Sequence, residues 1–130
     1  MITEQYVSFE TAKLAKEKGF NEPCRHYYLN GAKEVNNETI MIYDLPYPYN
    51  STDKNYFAAP TQSLLARWLR EKYNVSVEVY SSVFRYQHNI RNIDSTCIGG
   101  SDYSKTNGGG AWSSYEEAME DGLQEALKLL

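Results

Sequence analysis

The chain has 130 residues, of which 42% are apolar and 23% charged, and a formal net charge of −4. That length suits one domain able to bury a core without help from a metal or a disulfide. Thirteen basic residues against seventeen acidic ones exclude general nucleic-acid binding, which needs a dense basic patch, and no apolar run nears the ~20 residues that cross a bilayer.

Glu4 stands where a secretory leader would carry a basic start, so the sequence is read as that of a soluble cytoplasmic protein. Cys24 and Cys97 are then expected to be free thiols of a reducing compartment. The first helix is predicted over FETAKLAKEKG, with Ser8 as its N-cap, Gly19 ending it in a left-handed turn and Phe20 as the apolar clasp. Phe9, Ala12 and Ala15 are its core-facing residues. Pro23 interrupts the chain, RHYYL follows as a strand, and Asn30-Gly31 signals a turn. ETIMIY is a second strand with Ile40 and Ile42 on one face. DLPYPYNSTDKNY is predicted to be irregular because two prolines and several turn formers interrupt it. Its tyrosines belong to a marked excess, with Tyr 12 against Phe 4 and Trp 2.

The second helix is predicted from Pro60-Thr61 through TQSLLARWLREKY. Leu64, Leu65, Trp68 and Leu69 make one apolar face, and Asn74 ends it. VSVEVY alternates as a strand with Val75, Val77 and Val79 on one side. Ser81-Ser82 is read as a turn into the strand VFRYQH, and NIRNIDSTCI as a further strand. GGSDYSKTNGGG, residues 99–110, is a loop. Ser114 and Glu117 form a capping box that opens the last helix. Its apolar stripe runs through Tyr115, Ala118, Met119, Gly122, Leu123, Ala126, Leu127 and Leu130. Gly122 there costs about 1 kcal/mol against alanine, which close packing on a sheet would explain. The expected fold is a single α+β domain over residues 1–130. It has a largely antiparallel sheet of four to five strands with about three helices packed on it, in the order α-β-β-α-β-β-(β)-α.

The chemistry-bearing residues do not form a familiar signature. Cys24, His26, His88 and Cys97 lack the paired spacing of structural zinc sites, so no metal and no cofactor is expected. With two histidines and no nucleophile elbow, no catalytic residue can be assigned. Glu116, Glu117, Glu120 and Asp121 read as a helix-start complement and a solvated face. The glycine segment fits neither phosphate-loop pattern, though it precedes a helix start that favours anions. Arginine and aromatic side chains can clamp a nucleotide. Arg67, Arg70, Tyr80, Tyr86, His88, Tyr103 and Lys105 are therefore the candidate ligand-binding residues.

Three segments, SFETAKLAKEKGF, APTQSLLARWLREKYNVSVEV and W-x₂-YEEAMEDGLQEALKLL, together resemble short uncharacterised proteins encoded in phages, prophages and mobile elements of gut bacteria. The resemblance implies a phage-derived accessory protein made in a bacterial cytoplasm and carries over no site residue. The expected function is non-catalytic binding of a host protein or of a small anionic or nucleotide ligand, with counter-defence as one such role. The alternative is a small enzyme acting on a nucleotide or phosphoester through His88 or His26.

Overall fold

The computed structural model of the chain describes residues 2–29, 46–52, 54–82, 84–94, 97–100 and 112–130. These form three α-helices and five strands in the order α-β-β-α-β-β-β-α, an α+β fold. All strand pairing is antiparallel. The strands divide into sheets of two and three rather than joining in one larger sheet. Among the described residues every pairing joins strands consecutive in sequence. Internal contacts separate two compact units, Met1–Ser63 and Leu64–Leu130.

In the first unit, α1 (Phe9–Glu17) begins where Ser8 Oγ accepts a hydrogen bond from the Thr11 amide at 3.3 Å. It ends as the sequence predicts. Gly19 has φ 94°, and the amides of Gly19 and Phe20 donate back to the Lys16 and Ala15 carbonyls. Phe20 folds inward and is buried. Ala12 and Ala15 are buried, and Phe9 sets its ring edge-on to Tyr28 and Phe57 at 5.6 and 5.3 Å. The strand β1 (Tyr27–Leu29) pairs with β2 (Tyr56–Ala58), Tyr28 lying opposite Phe57. β2 starts at the last residue of the segment expected to be irregular; the strand expected in ETIMIY lies outside the described residues. One side chain in a short 3₁₀ turn, Tyr49–Ser51, ties the unit together. Asn50 Nδ2 donates to the Phe20 carbonyl at 2.7 Å, while its Oδ1 accepts from the Ala58 amide at 2.8 Å.

In the second unit, α2 (Gln62–Tyr73, of which the unit holds Leu64 onward) buries Leu65, Trp68 and Leu69, with Leu64 half-buried. Arg67, Arg70, Glu71 and Lys72 are exposed. Asn74 stops the helix at φ 57°, the left-handed position that asparagine tolerates. The hairpin of β3 (Val75–Ser82) and β4 (Arg85–Asn92) pairs without slip from Val75 opposite Asn92 to Ser82 opposite Arg85. Ser81 and Ser82 are therefore strand residues, opposite Tyr86 and Arg85, and not the expected turn, because the register set by the valines carries the ladder past them. Next comes β5 (Cys97–Gly100), which adds to the free edge of β4 with Gly100 opposite Asn89 and a register shift at Ile90/Arg91. Gly99 and Gly100, expected in a loop, are strand residues. NIRNIDSTCI accordingly divides between the end of β4 and the start of β5.

The closing helix α3 (Tyr115–Lys128) is capped by Ser114, whose Oγ accepts from the Glu117 amide at 3.2 Å. It lies across one face of the three-stranded sheet. Ala118, Met119, Gly122, Leu123, Ala126 and Leu127 are buried as the stripe predicts, while Tyr115 at its start is exposed. Gly122 is required by proximity. A Cβ there would lie 2.7 Å from Val77 Cγ1, closer than real Cβ atoms come, and a tight 3.2 Å from His88 Cγ.

Two stability outcomes follow from this packing. Trp68→Ala should lower unfolding free energy by about 3–5 kcal/mol in a urea titration, the usual cost of truncating a buried aromatic. Gly122→Ala should destabilise by about 1–3 kcal/mol, although helix propensity alone favours alanine by about 1 kcal/mol. A Gly122→Ala protein more stable than wild type in the same titration would contradict the close approach of α3 to the sheet.

Candidate functional site

Strand alternation and a helical repeat bring one imidazole and two carboxylates together in the second unit. On β4, Tyr86, His88 and Ile90 point to one face of the sheet, the face that receives α3. His88 is completely buried there. Its ring stacks on Trp112, with centroids 4.9 Å apart and planes 29° from parallel. Trp112 is itself held to the sheet by a two-way main-chain bridge with Tyr86. From α3, Asp121 and Glu125 lie one turn apart and so project from the same side of the helix. Asp121 Oδ2 is 2.9 Å from His88 Nε2, and Glu125 Oε2 is 3.9 Å from it. The other Glu125 oxygen, Oε1, accepts a hydrogen bond from the Gly100 amide at 3.3 Å. β5 can come this close because position 100 is a glycine. Its φ is 134°, and a Cβ would sit 2.7 Å from the His88 carbonyl oxygen.

The three ligand-capable atoms lie within 4.8 Å of one another. The histidine forms the inner wall, and the side chains of Asp121 and Glu125, 48% and 38% exposed, form the solvent side. Two carboxylates beside one imidazole make a site for positive charge; they disfavour a phosphate or any other anion.

The residues chosen from the sequence are only partly brought together. Tyr86 and His88 share the face under α3, and the Tyr86 ring meets Tyr115 edge-on at 6.2 Å. Tyr80 is opposite Gln87 in the register and points to the other face. Arg67 pairs along α2 with Glu71 at 3.0 Å, both well exposed, an arrangement of little energetic weight. Arg70 is exposed on the same helix. Tyr103 and Lys105 lie outside the described residues. Gly100 and Trp112 pair with Asn89 and Tyr86, the residues on either side of His88 in β4. Sequence reasoning did not select Glu125 or Trp112 and placed Asp121 on a solvated face. The available signal was the pair of acids four residues apart bordering the apolar stripe of α3, on the side of Gly122.

Burial shifts two further candidate groups, Cys24 and His26. Cys24 is buried, and its thiol is pushed up to about 12 by burial, with Glu22 adding to the effect. It donates to the Glu22 carbonyl at 3.4 Å. His26 packs its ring 4.0 Å from Tyr6. Burial lowers its pKa, reinforced by the neighbouring Arg25 charge. Both cysteines are free, as expected.

Comparison with protein families, with characterised proteins and with solved structures finds no match.

Because the thiolate is the reactive form, native protein treated with iodoacetamide at pH 8 should be alkylated at exposed Cys97 and spared at Cys24. Denaturation should make both react. Peptide mass spectrometry reads the two sites separately, and labelling of native Cys24 at the rate of Cys97 would contradict its burial.

Proposed function

We propose that this chain is a phage-derived accessory protein that acts by binding a host protein, and that the tip of the β3–β4 hairpin makes the contact. The observation that carries this reading is Phe84. Its side chain is fully exposed, and its backbone has φ 64°, a left-handed conformation that costs a non-glycine residue roughly 1–2 kcal/mol. Neither burial nor backbone preference accounts for a phenylalanine at that position, whereas contact with a partner does. Tyr80, also exposed, and Arg85 flank it on the hairpin. Aromatic residues and arginine are the side chains that protein interfaces concentrate.

Binding is favoured over catalysis by the state of the reactive groups. The His88 ring is enclosed under Trp112, and Cys24 stays a thiol. A nucleotide or phosphoester enzyme acting through His88 is disfavoured further because Asp121 and Glu125 beside its Nε2 repel an anionic substrate. A host protein is favoured over an anionic small molecule by the charge around His88.

Phe84→Gly separates function from folding, since it removes the ring and relieves the backbone. The variant should melt at or slightly above the wild-type temperature and should recover at least tenfold less of the host protein captured by the wild type from a bacterial lysate. Equal capture by the variant defeats the hairpin contact. A variant that melts well below wild type would assign Phe84 to the fold instead.

A further inference from the structure

We infer that His88 Nε2, Asp121 and Glu125 form a binding site for a divalent first-row transition-metal ion, independently of the hairpin contact. The donor set is one imidazole nitrogen and two carboxylates. Imidazole suits zinc and its neighbours and is a poor ligand for magnesium or calcium, which take oxygen. The spacing fits as well. Two ligand atoms each about 2.1 Å from zinc at a tetrahedral angle are about 3.4 Å apart. The separations from Nε2 to the two carboxylates, 2.9 and 3.9 Å, bracket that value, and the widest separation in the set, up to 4.8 Å, closes on binding by rotation of the half-exposed carboxylates.

The residues around the ligands hold them in place. Trp112 fixes the plane of the imidazole by stacking, and Gly122 lets α3 approach until its acids reach His88. The Gly100 amide takes one oxygen of Glu125, so the other is left turned towards His88. Outer partners of this kind orient first ligands in metal sites. His88 is wholly buried and Asp121 and Glu125 half-exposed, so the ion would sit at the mouth with the imidazole behind it. Water completes the coordination from the solvent side. Binding requires the ring proton to reside on Nδ1, which frees the Nε2 lone pair; Asp121 Oδ2 then turns from hydrogen-bond acceptor to ligand.

The test uses the full chain, stripped with chelator and titrated with zinc ion by isothermal calorimetry, with native mass spectrometry for stoichiometry. The wild type should take up one zinc per chain and gain thermal stability from it. Asp121→Asn and Glu125→Gln, both at half-exposed positions, should keep the fold by circular dichroism and bind zinc roughly tenfold or more weakly. Calcium at the same concentration should leave the melting temperature unchanged. Failure of the wild type to bind zinc overturns the inference and makes the His88–Asp121 contact a structural hydrogen bond. Equal zinc binding by both variants, or a calcium response matching that of zinc, overturns it too.

Discussion

The second unit depends on how closely α3 can approach the face of β3 and β4. Gly122 sets that distance. Without a side chain it lets the helix backbone settle against Val77 and the His88 ring, where even a methyl group would collide. Leu123, Ala126 and Leu127 then complete an apolar interior around Val77 and Ile90. The same approach brings a buried imidazole within hydrogen-bond distance of a helix carboxylate. A histidine placed in a core is costly unless its polar atoms are satisfied, and the Asp121 contact satisfies one of them.

This geometry changes the electrostatic picture of the molecule. From the sequence, arginines near aromatic residues pointed to an anionic ligand. In the folded chain Arg67 is drawn along its own helix to Glu71, and Arg91 lies 3.3 Å from Glu78 on the sheet. The charge gathered at a defined site is negative, on Asp121 and Glu125, with an imidazole behind it. A cation fits that arrangement.

Much of the tyrosine excess is structural. In the first unit Tyr27 and Tyr49 are buried, with ring centroids 4.4 Å apart, and Tyr56 meets Tyr27 edge-on at 5.1 Å. The buried Tyr28 hydroxyl donates to the Val7 carbonyl at 2.8 Å. Rings with a polar tip suit strands of only three residues, because they supply apolar area and satisfy backbone groups together. The exposed aromatic residue at the hairpin tip, Phe84, has no such tip and no such partner in the sequence pattern, which sets it apart from the tyrosines.

Local interactions made much of the fold legible. The caps of α1 and α3, the left-handed stops at Gly19 and Asn74, the apolar faces of the helices and the inward valines of β3 all follow from contacts between residues two to five apart. The sequence by itself also accounted for Gly122 as a point of close packing and for the two free thiols. It misplaced the β3–β4 turn, because two consecutive serines resemble a turn until the paired strand extends the ladder past them. It also missed the division into two sheets, since strand pairing across the chain has no local signature. His88 was recognisable as a candidate, but its partners were not. Asp121 is 33 residues away in the chain, and Glu125 and Trp112 come from other elements. Only the tertiary structure, by laying α3 over β4 and bringing Gly100 in from β5, decided that these side chains form one site.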